Sequence, residues 1–327
     1  MGSSAPDEGV HVLSIPTPFA VGRVNCYLIE DEPLTLVDTG PNSATALDAL
    51  ERLLAERGRK TTDLERIVIT HQHPDHQGLV RYLARHSGAE VCALDALAPW
   101  LASYSASMEG DDRFAQQLMD DHGVPVEIGM ALRVVSGLAR GWGAAAEVTL
   151  PLADGDALEF ANRTLHVHHR PGHSPSDIVL HDRERGMLIA GDHLIRHISS
   201  NPVVTRPLDG SERREQALVR YLDSMRATRE LDVALVLPGH GEPFSDHRTL
   251  VDERIRGHER RAAKLERLIA ERPRSAHRLA RDLWGNVAVT QAFLTLSEVL
   301  GHTDLLENRG LVREVRTADG PIVFEAT

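Results

Sequence analysis

The sequence predicts an α/β fold with a helical insertion and a winged-helix module at its C-terminal end. Strand and helix signals alternate along residues 10–245, residues of about 95–150 show helical periodicity alone, and the chain beyond about 246 is helical until two closing strands. A length of 327 residues suggests about two domains. We expect a first domain at 1–245, which carries the insertion, and a second at 246–327, a long helix followed by the winged-helix module.

The first part of the chain alternates short apolar runs with amphipathic helices. Leucines at helical spacing predict helices in NSATALDALERLLAERG and in DHQGLVRYLARHSG, which ends in a glycine. The predicted strands are HVLSIP, NCYLIE, LTLVDTG and RIVIT. The last of these runs directly into a group of histidines, so its end is the first place to look for function.

Strand signals return after the insertion, which we expect to form a lid or wall over a site. The strands are DALEFANRTLHVHHRPGH, DIVLHD, GMLIAGD and VALVLPGHG, with the helix GSERREQALVRYLDSMRAT before the last. Three short helices and a hairpin around a DG turn favour a winged helix at residues 274–327. We expect this module to pack over the active-site mouth or to pair two chains as a homodimer.

The composition is that of a globular protein, with 42% hydrophobic and 26% charged residues. The formal net charge of −12 disfavours a nucleic-acid partner, because phosphate binding needs a basic face. No apolar run approaches the ~18 residues of a membrane helix, and the N-terminus lacks a signal-peptide pattern. Cys26 and Cys92 lie in strand-like runs, which fits a reducing compartment. We therefore expect a cytoplasmic protein that contacts no membrane.

The stretch THQHPDHQG, residues 70–78, places three histidines and one aspartate within six consecutive positions. A solvated loop would explain one histidine, but not four ligand-type residues in one turn. Imidazole nitrogen and carboxylate oxygen suit Zn(II), and also Fe(II) or Mn(II). Three more such residues each follow an apolar strand and sit beside a glycine, where the backbone can turn sharply. The predicted metal ligands are His71, His73, Asp75, His76, His173, Asp192 and His240.

This ordered set resembles the metallo-β-lactamase superfamily, whose motifs are a strand-end Asp, HxHxDH, and then a His, an Asp and a His. The resemblance spans about residues 10–245. It implies an αββα sandwich, two mixed sheets covered by outer helices, with two divalent metal ions at one edge. The residues carried over are His71, His73 and His173 for the first ion, Asp75, His76 and His240 for the second, and Asp192 as the bridge.

The resemblance also gives roles to two aspartates. Asp38, in LVDTG, matches the family's aspartate that steadies the metal-bearing loops without binding metal. Two cations about 3.5–4 Å apart lower the pKa of a bridging water towards neutrality, which makes hydroxide available to attack a carbonyl. Asp75 would orient that hydroxide and pass its proton to the leaving group. The expected reaction class is metal-assisted hydrolysis.

The substrate expected is a small molecule with a thioester, ester or lactone bond. The stretch PGHSPSDIVL resembles the glyoxalase-II-like branch, whose members cleave acyl thioesters. A β-lactamase is disfavoured, because zinc β-lactamases typically lack the aspartate bridge that Asp192 would supply. Fold likeness alone does not decide the substrate.

Two alternatives remain open. A ribonuclease or phosphodiesterase is the first, because a winged helix after this fold resembles the lactamase-β-2-like group and residues 253–281 carry ten Arg or Lys against four Glu. Such a charge run is also typical of a solvated helix face. A DNA-binding ligand sensor is the second, but LSEVLGHTDLLENRG carries three acids and one arginine where a recognition helix needs basic groups.

Several other histidines require an interpretation. We expect His122, on the insertion, to reach the substrate pocket from above, and His193 to line it. The histidines at 181, 247 and 258 are expected at the surface.

Overall fold

The computed structural model describes residues 9–211, 214–287 and 291–327. Its first sheet has six strands in sequence order, antiparallel from the first to the third and parallel from the third to the sixth. The strands are β1 (Val10–Ile15), β2 (Val24–Ile29), β3 (Thr35–Val37), β4 (Arg66–Val68), β5 (Glu90–Leu94) and β6 (Leu150–Leu152).

The second sheet has five strands in the order β11-β10-β9-β8-β7. Only β10 and β11 are parallel within it, and a helix at Ala217–Arg229 makes that crossover. The strands are β7 (Ala157–Glu159), β8 (Thr164–His169), β9 (Ile178–Asp182), β10 (Met187–Gly191) and β11 (Leu235–Pro238).

Three strands of the second sheet, β9, β10 and β11, are buried on both faces, which explains their continuous apolar runs. Successive residues of β10 belong to different cores: Met187 and Ile189 to the core that includes the first sheet, and Leu188 and Ala190 to the core under the C-terminal helices. The two sheets therefore face each other, and each has helices outside it. This is the predicted αββα sandwich.

Helices on the first sheet bury one apolar stripe each. In α1 (Ala44–Ala55) the buried residues are Ala46, Leu50 and Leu54, and the Ser43 side chain caps the first turn by accepting from Ala46 N. A short α2 (Pro74–Gln77) and α3 (Val80–Ser87) follow β4.

The segment between β5 and β6 is helical, as its sequence predicts. It contains α4 (Ala98–Ala102), α5 (Tyr104–Asp121) and α6 (Val126–Ala139), and it is tied to the first sheet where Asn42 N donates to Trp142 O. The outer face of α6 is an exposed apolar stripe with a four-residue period, Val126, Met130, Val134 and Leu138.

The second sheet is covered by α7 (Ala217–Arg229), α8 (His247–Glu271) and the C-terminal helices α9 (Ala276–Trp284) and α10 (Ala292–Asn308). A three-stranded sheet closes the chain in the order β12 (Arg274–Ser275), β14 (Val323–Ala326), β13 (Val312–Val315). Residues 295–306 of α10 are all buried. The winged-helix assignment and the two domain boundaries stay predictions. Among the described residues, no helix combines the length and the apolar character needed to span a bilayer.

Candidate metal centre

All seven predicted ligands lie where strands of the two sheets end. His71, His73, Asp75 and His76 follow β4, His173 lies between β8 and β9, Asp192 follows β10, and His240 follows β11. The local sequence explains the first group. The backbone at His73 is extended, and Pro74 starts α2 directly after it, which turns Asp75 and His76 back towards the strand end.

Gly239 makes the close approach of β10 and β11 possible. A Cβ atom at this position would overlap the Oδ1 atom of Asp192 and lie 2.9 Å from the ring of His76. Only glycine leaves room for both side chains. The PGH signal in the sequence is therefore a requirement of the site and not an ordinary turn.

The first three histidines point one nitrogen each at a common position. The Nδ1 atom of His73 lies 3.0 Å from His71 Nε2 and 3.0 Å from His173 Nε2. Tetrahedral ligands about 2.0–2.1 Å from a zinc ion stand roughly 3.3–3.4 Å apart, so the spacing is close to that of a metal site. One proton on His73 could satisfy only one of its two neighbours. A cation between the three nitrogens would satisfy all of them.

A second group faces the first across Asp192. The Oδ2 atom of Asp75 lies 3.4 Å from His240 Nε2, and the Oδ1 atom of Asp192 lies 3.4 Å from His76 Nε2. The Oδ2 atom of Asp192 is 3.6 Å from His173 Nε2 and 3.5 Å from His240 Nε2, so this carboxylate contacts both groups.

Three polar atoms of this second group are buried without a hydrogen-bond partner among the described residues: His76 Nε2, His240 Nε2 and Asp192 Oδ1. Buried polar atoms normally have partners, so their convergence needs an explanation. A metal ion supplies one, and the nitrogen and oxygen donors fit Zn(II), Fe(II) or Mn(II).

Hydrogen bonds on the outer side of the rings fix which nitrogen faces inward. The Nδ1 atom of His173 donates to Asn201 O at 3.2 Å, and that of His240 donates to Arg23 O at 2.7 Å. A carbonyl can only accept, so Nδ1 carries a proton in each ring and Nε2 is the nitrogen that faces the centre. This arrangement is the one that metal-binding histidines require.

Asp38 connects the two ends of the ligand-bearing segment 70–76. Its carboxylate accepts from His76 Nδ1 at 2.7 Å, from Thr70 N at 2.9 Å and from Thr70 Oγ1 at 2.8 Å. The Thr70 hydroxyl is then free to accept from His71 Nδ1 at 3.0 Å. Asp38 has a left-handed backbone with φ 58°, which is uncommon outside glycine. The strained residue thus orients two histidines at once.

The two groups differ in charge. Burial lowers the pKa of His71, His73 and His173, to about 3 for His73, so these rings are neutral and ready to bind metal. Burial also opposes the charged form of His76 and His240, but carboxylates outweigh it: Asp192 and Asp38 raise the pKa of His76, and Asp192 and Asp75 raise that of His240 to about 9. The histidines of the second group, which lie beside carboxylates, are therefore protonated in the absence of metal. A metal ion would replace that positive charge.

A polar cluster behind His71 was not foreseen as part of the site. The hydroxyls of Ser174 and Ser176 both donate to Gln72 Oε1, and Asp177 Oδ2 accepts from Ser174 N at 2.8 Å. Asp177 Oδ1 lies 3.9 Å from His71 Nδ1, and burial raises the pKa of Asp177. The sequence feature that could have revealed this cluster is the run of polar residues HSPSD, which lies between β8 and β9. These bonds fix the loop that carries His173.

Two predicted pocket residues lie elsewhere. The ring of His122 stacks on Phe324 of β14, with centroids 5.9 Å apart and planes within 3°, because the end of α5 packs against the C-terminal sheet. His193 is buried beneath the centre, where its Nε2 atom lies 2.9 Å from Thr228 Oγ1 of α7. Neither residue lines the cavity beside His73. Both expectations were wrong in this respect.

Comparisons with known proteins agree with this geometry. A sequence profile of the metallo-beta-lactamase superfamily matches residues 20–240. The chain is 35% identical over 303 residues to the "Probable metallo-hydrolase YqjP" of Bacillus subtilis (strain 168), covering 92% of each protein. It is 30% identical over 182 residues to the human "Acyl-coenzyme A thioesterase MBLAC2", which covers 52% of this chain and 58% of that protein. The crystal structure of the metallo-beta-lactamase family protein TTHA1429 from Thermus thermophilus superposes with a TM-score of 0.83 at 29% identity, covering 99% of this chain and 100% of that one.

Proposed function

The chain belongs to the metallo-beta-lactamase superfamily and is a metallo-hydrolase, and from that premise we propose that it cleaves small-molecule acyl thioesters, esters or lactones with two divalent metal ions. Zn(II) is the proposed metal, with Fe(II) and Mn(II) as the alternatives. The observation that carries the proposal is the convergence of six buried side chains and the half-buried His73 into two groups joined by Asp192.

Each ligand has a distinct role in this proposal. His71, His73 and His173 would hold the first metal ion, and Asp75, His76 and His240 the second. Asp192 would bridge the two ions, since its Oδ2 atom faces a histidine of each group.

Bound metal ions would acidify a water molecule and polarise the substrate carbonyl. Asp75 would accept the proton of that water on a carboxylate oxygen and return it to the leaving thiolate or alkoxide. Asp75 directly follows Pro74, which lines the cavity, and its Oδ2 atom lies 3.4 Å from His240 Nε2. Asp38 takes no part in the reaction and holds His76 and Thr70 in place.

An acyl substrate is favoured over the alternatives by two observations. Asp192 occupies the bridging position that the lactam-cleaving enzymes typically lack, and one similar protein carries the name of an acyl-coenzyme A thioesterase. A DNA-reading role is disfavoured because residues 295–306 of α10 are buried and so offer no face to a groove. The ribonuclease alternative has one supporting feature, the arginines of α8.

The first test is a metal analysis of the purified protein with a hydrolysis panel. The panel contains an acyl-glutathione thioester, an acyl-coenzyme A, a homoserine lactone, a chromogenic cephalosporin, bis-p-nitrophenyl phosphate and single-stranded RNA. We expect about two metal ions per chain and turnover of a thioester or lactone. Absence of metal under every loading condition would overturn the mechanism. RNA cleavage that is lost in His76→Ala, without acyl turnover, would replace the proposed substrate class.

A further inference from the structure

We propose that the substrate is an acyl thioester with an unbranched apolar acyl chain and a phosphorylated thiol, and that two separate surfaces bind these two ends. The inference rests on the proposed acyl hydrolysis and specifies its substrate. It is drawn from a cavity that begins at the metal centre and from an arginine cleft that a groove connects to this cavity.

The cavity begins at the metal centre. Gln72, His73 and Pro74 form one end, and α5, α6 and α10 form the walls of a space of about 450 Å³. This size is typical of small-molecule sites. Its walls are mostly apolar and include Trp100, Met108, Phe114, Met119, Leu132 and Val204.

The acidic groups in these walls are already paired. Asp111 accepts from Trp100 Nε1 at 2.9 Å and from Arg206 Nε at 3.0 Å. Asp112 accepts from the Ser136 hydroxyl and from Arg140. These carboxylates are therefore satisfied by neighbouring residues of the wall, and the mostly apolar lining suits an alkyl chain better than a sugar or a nucleobase.

A groove adjoins the cavity at Leu294. Leu294 of α10 lines both the cavity and this groove, whose other residues include Asn201, Trp284 and Thr295. Asn201 is the residue whose carbonyl accepts from His173 Nδ1. A thioester whose carbonyl lies at the metal centre would thus place its acyl chain on one side of Leu294 and its thiol part on the other.

Ser199 connects the groove to a cleft on α8. Four arginines line the cleft: Arg254, Arg256, Arg260 and Arg261. Two of them are held in place. Arg254 donates to the carbonyls of Ile195, Arg196 and Ile198, and Arg261 pairs with Glu298 and lies 5.8 Å from the Trp284 ring.

The other two arginines are available for a ligand. Arg256 and Arg260 are exposed one helical turn apart, and neither makes an ion pair or hydrogen bond with any described residue. Four arginines and one acid, Glu253, line this cleft, so it is locally basic on a chain with net charge −12. Guanidinium groups match phosphate oxygens in geometry and charge, so a phosphorylated thiol is the ligand that this face fits.

The proposed reaction balances without a further reactant. Water adds its oxygen to the acyl carbon, the C–S bond breaks, and one proton passes to the thiolate. The products are a carboxylic acid and a free phosphorylated thiol.

The test is a matrix of acyl chains against thiols. Acetyl, hexanoyl and decanoyl groups are presented as thioesters of coenzyme A and of N-acetylcysteamine, which has the same thiol end but no phosphate. We expect kcat/KM to rise about fourfold per methylene until the cavity is filled. We expect coenzyme A to lower KM at least about tenfold relative to N-acetylcysteamine, with the advantage falling as salt is added.

One variant of the cavity and one of the arginine cleft, each with a control, test the two surfaces separately. Ala115→Trp fills the cavity and should remove the preference for decanoyl over acetyl, whereas Val134→Trp, on the exposed face of α6, should leave it intact. Arg256→Glu with Arg260→Glu should raise KM about tenfold or more for coenzyme A thioesters only. Arg267→Glu is the matched control, an exposed arginine of the same helix outside the cleft.

Binding measurements keep this inference separate from the proposed function. Calorimetry should show tighter binding of decanol than of butanol, lost in Ala115→Trp, and binding of free coenzyme A, weakened in the double Glu variant. Thioester turnover without chain-length or phosphate dependence would overturn the inference and leave acyl hydrolysis standing. Both bindings without any acyl turnover would overturn acyl hydrolysis instead. RNA that competes at the arginine cleft more strongly than coenzyme A would assign the cleft to a nucleic acid and contradict the inference.

Discussion

The metal centre and the apolar cavity share His73 but are held together in different ways. Every candidate ligand of the centre follows the end of a strand, and the outer nitrogens of four of the five histidines bond to fixed partners such as Asp38 and the carbonyl of Arg23. The cavity is walled by helices of the insertion and of the C-terminal region, none of which carries a ligand. Changes at the centre should therefore affect metal and turnover together, and changes in the walls should affect substrate choice alone.

Loss of the Asp192 carboxylate should have the largest effect on bound metal and on turnover. Asp192→Ala removes the group that contacts both halves of the centre, so we expect loss of bound metal and a fall in kcat of about a thousandfold or more. Metal analysis and kinetics measure this, and circular dichroism serves as the control for folding. His71→Ala should behave in the same way. Either variant with full metal content and full turnover would contradict the assignment.

A change at Asp38 should have a smaller effect of the same kind. Asp38→Asn keeps the size of the side chain but weakens the bonds to His76 and Thr70, so metal affinity should fall about ten- to a hundredfold. Chelator titration measures the affinity, and excess metal should restore most of the turnover. A variant that excess metal does not rescue would show that Asp38 has a role beyond orienting ligands.

His122 provides a test where the insertion meets the C-terminal sheet. Burial lowers its pKa to about 4, below the usual value of about 6.5, so the neutral ring contributes stability that is lost as the pH falls from about 6.5 to about 4. Between pH 7 and pH 5 the free energy of unfolding should fall by about 2 kcal/mol more in the wild type than in His122→Phe. Urea unfolding of the metal-loaded proteins measures this. Equal falls in the two proteins would mean that the ring is not held neutral.

The smallest effect is expected on the outer face of α6. Val134→Lys places a charge on a side chain that is 67% exposed, so stability should change by no more than about 0.5 kcal/mol. Chain-length preference should also stay unchanged, because Val134 does not line the cavity. A loss of decanoyl turnover in this variant would show that the outer face of α6, and not only its inner face, contacts the substrate.

The candidate ligands could be identified in the sequence because each one follows an apolar strand and sits near a glycine or proline, a purely local pattern. The αββα layers followed from the resemblance and from the alternation of strands and helices. Ring orientation was not predictable, because it depends on which distant element packs against the ring. His122 and His193 face Phe324 and α7 for this reason.

The same dependence on distant packing explains why three predictions of surface exposure were wrong. The histidines at 181, 247 and 258 were expected at the surface and are buried. His181 lies on β9, which is covered on both sides, and its Nε2 atom is 3.1 Å from Asp232 O, while His258 faces His302 of α10. Charged residues next to a histidine in the sequence suggest that it is exposed, but they do not show whether a later helix covers it. The insertion was expected to form a wall over a site, and its helices do line the cavity, but the contributions of Val204 and Phe293 from distant segments were hidden.

The position of Leu294 affects how substrate preference can evolve in such a protein. Because one side chain of α10 borders both the cavity and the groove, substitutions in α10 can alter which acyl groups fit without touching any of the seven ligands. Lineages that share this centre can therefore diverge in substrate while keeping one chemistry. Exchanging residues 291–295 between relatives would transfer the preference for an acyl group. A comparison of only the metal ligands in their sequences would not detect this change.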